Sequence, residues 1–403
     1  MKNILEIKKD FPILSSNLTY LDNSATTQKP SSVIAAYKEF YENSNANVNR
    51  GIYKLSEKAT TLYEHTRELV AKYINSDISE VIFTRNTTES INLVMYSWGE
   101  ENIKKGDTIL LTEMEHHSNI VPWVELVKRK EAKIEWIKIT PEFRLDLDDL
   151  KEKLKLSPKL VCVTHVSNVL GTINPINEII KLSHEVGALV LVDAAQSASY
   201  KMVDVKKDDM DFCAFSAHKM MGPTGVGVLF VKKDILSNMK PFNYGGDMIR
   251  EVHKDNITWN DIPHKFEAGT PNIADVVVFA KSIEYINNLY ANYEVETHEN
   301  ELTSHALTIL KVIPGLKIIG PDNIENRKPI FSFTIEGIHP HDISQILDND
   351  NICVRSGFHC AEVLHDVLGI KATTRASLYF YNSTSDLDKL VEGLIKAKEI
   401  FKR

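Results

Sequence analysis

Ala188-Leu189-Val190-Leu191-Val192-Asp193-Ala194-Ala195-Gln196 is an apolar run that closes on an acid. It lacks the apolar/polar alternation of a half-exposed strand, so it reads as a strand buried on both faces. The pattern recurs around it. Val81–Thr84, Thr108–Thr112, Lys133–Ile139 and Leu160–Val166 precede it, and Val226–Val231 follows. Between the earlier runs, apolar residues take helical spacing over Ser90–Trp98, from Ile120, over Asp146–Leu156 and over Ile176–Val186. Strand and helix alternating from about residue 80 to 195 predict an α/β fold, a parallel sheet with helices on its faces. Ligands bind at the carboxyl ends of such strands. Thr87, His116, Asn168, Asp193 and Lys219 all fall at or just after predicted strand ends.

The next stretch, Phe215-Ser216-Ala217-His218-Lys219-Met220-Met221-Gly222, sets a lysine between a strand-like run and a glycine-rich turn. A lysine taken alone is a surface residue. With an acid at the end of the neighbouring strand, it matches what pyridoxal phosphate chemistry needs. There an amine nucleophile joins the aldehyde, and an acid keeps the pyridine nitrogen protonated. Gly222-Pro-Thr-Gly-Val-Gly is not a nucleotide loop, because it precedes a strand and lacks both the dinucleotide spacing and the Gly-Lys-Ser/Thr of a P-loop.

The 403 residues are enough for two or three domains. A formal net charge of −8 argues against nucleic acid or an anionic membrane as the main partner. The first ten residues carry no secretory pattern, and no apolar run approaches the roughly 18 residues of a membrane span, so the expected location is the cytoplasm. The expected division is an arm over 1–20 that packs on the C-terminal domain, a large domain over 21–290 and a small domain over 291–403. The long helical patterns Ala274–Ala291 and Glu294–Ile313 flank the second boundary.

Four cysteines are present: Cys162, Cys213, Cys353 and Cys360. No Cys-x-x-Cys pair and no His-x₃-His occurs, so no metal site is expected. Cys162 and Cys213 sit in strand patterns and read as core. Cys360 lies in Arg355-Ser-Gly-Phe-His-Cys, a loop setting beside histidine and near arginine where a thiol is either a reactive nucleophile or simply a free cysteine. Arg375 has the chemistry to clamp a carboxylate, and Arg50 is either a substrate-facing or a solvated cation. Thr87 and Thr88 stand where hydroxyls either hold an anion at a helix start or cap the helix. His116, whose neighbour His117 faces another way, suits a flat ring better than a metal. The small-residue turn Tyr20–Thr27, which includes Ala25, is suited to close approach to a ligand.

In these blocks the chain resembles the cysteine desulfurases of SUF type (group II), in the class V branch of the pyridoxal phosphate-dependent aminotransferase superfamily. The resemblance is carried by Tyr20-Leu-Asp-Asn, Asn47-Val-Asn-Arg-Gly, Arg85-Asn-Thr-Thr-Glu, Glu115-His-His-Ser-Asn, Ser167-Asn-Val-Leu-Gly-Thr, Val192-Asp-Ala-Ala-Gln, Phe215-Ser-Ala-His-Lys, Phe266-Glu-Ala-Gly-Thr-Pro-Asn and Arg355-Ser-Gly-Phe-His-Cys, in that order. It implies fold type I: a mostly parallel seven-stranded sheet covered by helices, with a smaller α+β C-terminal domain carrying the cysteine loop. It implies pyridoxal 5′-phosphate joined to Lys219, with Asp193 on the pyridine nitrogen, Gln196 on the phenolic oxygen and His116 stacked on the ring. Thr87, Thr88, Ser216 and His218 would hold the phosphate. Thr270 would reach the phosphate of a second subunit, hence a homodimer. Arg375 would bind the substrate carboxylate, with Asn168 beside it and Arg50, Arg355 and Ala25 lining the pocket. Cys360 would take sulfur from L-cysteine as a persulfide, leaving L-alanine, and pass it to an acceptor protein of iron–sulfur cluster assembly.

The alternatives are a selenocysteine lyase and another class V lyase or aminotransferase. The chain departs from the family pattern at Phe358, where a second histidine is common, and at Tyr244-Gly-Gly-Asp247, where Glu is commoner than Asp247.

Overall fold

The structure, a computed structural model, describes residues 4–49 and 51–401. Fifteen strands are described. Strand β1 (Thr19–Tyr20) opens the chain, and six follow in the predicted order: β2 (Val81–Thr84), β3 (Thr108–Thr112), β4 (Lys133–Ile137), β5 (Leu160–Thr164), β6 (Leu189–Asp193) and β7 (Phe212–Ser216). After β8 (Gly227–Val231) come β9 (Ile249–Val252), β10 (Ile257–Trp259), β11 (Leu316–Ile319), β12 (Ile330–Ile335), β13 (Ile352–Cys353), β14 (Arg355–Gly357) and β15 (Thr373–Ser377).

Seven strands form the main sheet, in the order β2-β8-β7-β6-β5-β3-β4. Only β8 runs antiparallel to its neighbours; the rest of the ladder is parallel. Side-chain parity explains why the inner strands are apolar throughout. Leu110, Val161, Val163, Val190, Val192, Cys213, Phe215 and Val228 point into one core. Ile109, Leu111, Cys162, Leu191, Ala214 and Leu229 point into the other. Successive residues of a strand face opposite sides, so a sheet covered by helices on both faces needs an apolar residue at every step. Each such Val or Leu contributes about 1.5–3 kcal/mol of burial. The polar exceptions stand at strand ends: Thr112, Thr164, Asp193 and Ser216 come last in theirs, and Thr108 comes first in β3.

A four-stranded antiparallel sheet, β11-β12-β15-β14, gathers the C-terminal residues. The chain start reaches it: β1 pairs in parallel with β13, and Asp22 bridges to Ser377. Lys8 bonds Asp386 at 3.1 Å, and the Phe11 ring lies 4.6 Å from that of Tyr381. Residue 290 falls within the helix Ile273–Asn292, and the helix Val295–Lys311 begins three residues beyond its end.

Three features differ from the sequence reading. The helix expected from Ser90 starts at Thr87. The exposed hairpin β9–β10 has no apolar period to announce it. Strand β15, Thr-Thr-Arg-Ala-Ser, is fully buried although mostly polar.

Under the main sheet Arg67 is wholly buried. It bonds Glu267 at 2.6 and 2.9 Å and Glu64 at 2.9 Å, with its guanidinium 4.7 Å from the Phe83 ring centroid. Burial alone would raise the Glu267 pKa, but the charge and hydrogen bonds of Arg67 outweigh it and hold the carboxyl below its usual range. Arg67→Met strands that carboxylate. The expected cost is about 3–5 kcal/mol in chemical denaturation, the range for breaking a buried pair. A loss under about 1 kcal/mol would reduce the pair to the standing of a surface bridge.

Candidate active site

The carboxyl ends of β3, β5, β6 and β7 open onto one cavity of about 300 Å³. Ala25, Thr87, Thr88, His116, Asn168, Asp193, Gln196, Ser216, His218, Lys219, Arg355, Cys360 and Arg375 all line it. Thr270 does not; it lines a separate cavity of about 450 Å³ with Glu267 and Phe83. Arg50 lies outside the described residues.

One end of the cavity is a set of hydrogen-bond donors. The Asn86 side chain accepts from Glu89 N at 2.9 Å and so caps the helix Thr87–Val94. The capping reading of Thr87 and Thr88 therefore falls, and their hydroxyls pair with other side chains instead. Thr87 donates its N–H to Ser216 Oγ at 2.8 Å, and the two hydroxyls lie 2.6 Å apart. Thr88 pairs with Ser118 at 2.7 Å. Strand β8 starts with Gly227 because a Cβ there would lie 2.5 Å from Thr84 Oγ1 and 2.6 Å from the Asn86 backbone. The helix start can thus press against the sheet. The hydroxyls gathered at the helix start and the helix dipole favour an anion there.

The middle of the cavity is charged yet poorly solvated. Asp193 is 4 % exposed, and its Oδ1 accepts from Ala195 N at 2.9 Å. Burial raises its pKa. Lys219 ends the tight turn that follows β7. Burial pushes its amine down to about 8, with Asp193 opposing the shift. His116 Nδ1 accepts from Ser118 N at 3.1 Å, which leaves the proton of the neutral ring on Nε2. Burial, and then the Lys219 charge, lower its pKa to about 3, so it stands neutral near pH 7. Gln196 Nε2 donates to Ser24 O at 2.9 Å, which brings the turn bearing Ala25 to the wall.

Sequence reasoning passed over Glu115 and His117, which together with Asn168 hold this turn and the cysteine loop. Glu115 is fully buried and accepts from Thr112 Oγ1 at 2.5 Å, Thr164 N at 2.8 Å and Asn119 Nδ2 at 2.7 Å. It ties the His116 turn to β5, and burial pushes its carboxyl up to about 8. Asn168 Nδ2 donates to His359 O at 2.8 Å. His117 donates its N–H to Cys360 O at 2.8 Å and accepts from Glu362 N at 3.0 Å on Nε2. These bonds hold His359 and Cys360 at φ 53 and 56°, two successive left-handed residues without glycine. Cys360 is exposed at the cavity mouth, while Cys162 and Cys213 are buried with their thiol pKa values raised by burial. The signal for Glu115 and His117 was present in the Glu-His-His block, but adjacent residues gave no way to divide the roles.

At the other end, Arg375 in β15 donates from Nη1 to Asn168 O at 3.0 Å and from Nη2 to Asp22 Oδ1 at 3.0 Å. Arg355 Nε donates to Asp22 Oδ2 at 3.1 Å. Arg375 Nε is buried without a hydrogen-bond partner among the described residues.

The profile of the family "Aminotransferase class-V" matches residues 19–390. A cysteine desulfurase of Haloferax volcanii is 43% identical over 414 residues, covering 98% of this chain and 97% of that protein. A probable cysteine desulfurase of Staphylococcus epidermidis is 46% identical over 405 residues, covering 99% and 98%. Among solved structures, the apo cysteine desulfurase of Thermococcus onnurineus superposes with a TM-score of 0.93 at 39% identity, covering 100% of this chain and 99% of that one. The S-sulfonic acid form of the Escherichia coli cysteine desulfurase CsdA gives 0.91 at 34% identity, over the whole of both chains. These neighbours bear out the fold type I architecture expected from the sequence. The chain belongs to the aminotransferase class-V family.

Proposed function

We propose that this chain is a pyridoxal phosphate-dependent cysteine desulfurase that converts L-cysteine to L-alanine and retains the sulfur on Cys360. The observation that carries the reading is a single cavity shared by a half-buried amine, a buried acid and an exposed thiol: Lys219, Asp193 and Cys360. Relatives named cysteine desulfurase, aligned over nearly the full length, support it.

The residues present fit the cofactor. Thr87, Thr88, Ser216 and His218, with the helix start behind them, would hold its phosphate. Asp193, buried with one backbone donor, is placed for a ring N–H. Gln196 would serve the phenolic oxygen, and neutral His116 would lie against the ring. When bound, pyridoxal phosphate supplies an electron sink for the bond broken at the substrate α-carbon.

The chain's own groups do the rest. Lys219 is the amine that would hold the cofactor and move the substrate α-proton, and an amine depressed to about 8 is poised for that. Arg375 binds the substrate carboxylate, with Asn168, Arg355, Ala25 and Arg50 around it. The Cys360 thiolate attacks the substrate Sγ. An S–S bond forms and the C–S bond breaks. Sulfur leaves on Cys360 as a persulfide, and the carbon skeleton gains a proton to become alanine. The loop position of Cys360 suits delivery to an acceptor protein of iron–sulfur cluster assembly. The reading includes a homodimer in which Thr270 serves the phosphate site of the second copy. It also includes the division into the arm 1–20, the large domain 21–290 and the small domain 291–403, and a cytoplasmic location.

Lys219→Ala should retain no cofactor covalently after borohydride treatment, and alanine formation should drop by about a thousandfold or more. Covalent retention in that variant would remove Lys219 from its role. In the apo protein, competitive labelling with an amine reagent should show Lys219 becoming reactive as pH rises past about 8. Surface lysines should need about two pH units more. Cys360→Ala should still perturb the cofactor spectrum on adding L-cysteine, yet release no alanine. Wild-type alanine yield would take the thiol out of the reaction.

A further inference from the structure

The turn that carries Lys219 is closed from a distant part of the chain. Residues 217–222 leave β7 and bend back on Ala217 O, which accepts from Met220 N at 2.8 Å and from Gly222 N at 2.9 Å. Two further backbone groups, one on each side of Lys219, are taken by a single side chain. Thr27 Oγ1 donates to His218 O at 3.1 Å and accepts from Met221 N at 2.7 Å, across 194 positions of sequence. The Thr27 N–H adds a second bond to His218 O, also at 3.1 Å. Met221 is fully buried and stands at φ 59°, a left-handed residue that is not glycine, so its conformation has to be held. Its N–H would be orphaned without the Thr27 hydroxyl. Thr27 is itself fixed: it is buried, Tyr20 Oη donates to Thr26 O at 2.8 Å, and Gln28 N donates to Tyr381 Oη at 3.0 Å. His218 and Lys219 line the cavity and Thr27 does not. Thr27 therefore acts on the cavity through the turn.

We propose that Thr27 is a positioning residue for Lys219: its one hydroxyl bridges the backbone on both sides of the lysine and holds the amine inside the cavity, out of bulk water. The inference rests on the assignment of Lys219 as the amine that would hold the cofactor and move the α-proton. Burial is the largest influence on that amine and brings it to about 8, so a loosened turn lets it gain water and recover toward an ordinary lysine. Among the described residues, the charged and titratable groups that face Lys219 are Asp193, Arg375, Arg355, Cys360, His116 and His218. The Thr27 hydroxyl carries no charge and bonds backbone, not these side chains. Its removal reaches the amine through position.

The test measures, in the apo protein, the pH midpoint at which an amine reagent labels Lys219. Thr27→Val keeps the shape without the hydroxyl and should raise the midpoint by about one pH unit or more from its value near 8. Thr27→Ser keeps the hydroxyl and should keep the midpoint. Thr26→Val controls for general loosening: the Thr26 hydroxyl also donates to His218 O at 3.1 Å, but Met221 N is bonded to Thr27. Its midpoint should stay in place. An unchanged midpoint in Thr27→Val, or an equal rise in Thr26→Val, would overturn the inference. Should Thr27→Val fail to fold, amide exchange of the wild type decides. The Met221 N–H should exchange about a hundredfold or more slower than a free amide, and exchange at the free rate would overturn the bridge. In the holoenzyme, Thr27→Val should lower kcat about tenfold and leave KM for L-cysteine within about twofold. A kcat that holds, or a change confined to KM, would overturn the inference too. A wild-type holoenzyme in which borohydride traps nothing on Lys219 would instead overturn the assignment beneath it, and the apo labelling would still decide the place of Thr27.

Discussion

A carboxylate and an amine with little access to water face one cavity, and the rest of the molecule is arranged to keep them there. Asp193 is 4% exposed, and Lys219 is desolvated enough that its amine falls to about 8. Each would be better hydrated at the surface. They are held by the sheet. Asp193 is the last residue of β6, in register with Thr164 on one side and Ala214 on the other, and Lys219 leaves β7 by a tight turn. Two apolar cores fix the strands that carry them. On the proposed reading, pyridoxal phosphate held between Asp193 and Lys219 would relieve both costs.

The cysteine loop answers a different constraint. On the proposed reading the thiol must both reach the substrate and present sulfur elsewhere, so it has to sit at the cavity mouth, exposed but not free to wander. Cys360 meets this through backbone bonds from Asn168 and His117 that hold it and His359 in the left-handed region. His359 is itself anchored, its Nε2 2.9 Å from Thr373 Oγ1 in β15. The loop is therefore positioned by both sheets.

Much of this was legible in the sequence, for a physical reason. Doubly covered parallel strands must be continuous apolar runs, and such runs end where the ligand begins. Asp193, Thr164 and Ser216 stand out because they break the pattern at its last position. What escaped was whatever depends on contacts distant in the chain. Strand β15 is polar and was not seen as a strand, because its hydroxyls are satisfied by tertiary partners such as Pro340 O for Thr374 and Leu21 O for Ser377. The Asp22–Arg375 pair joins residues 353 positions apart. The helix over the anion end begins earlier than its apolar period because Asn86, which carries no periodic signal, is its cap.

The most direct measurement is peptide mass spectrometry of the holoenzyme after a single turnover with isotopically labelled L-cysteine. The account predicts one labelled sulfur atom added to the peptide that contains Cys360, in proportion to the alanine released. Alanine released with the label on Cys353, on another residue or only in solution would contradict it.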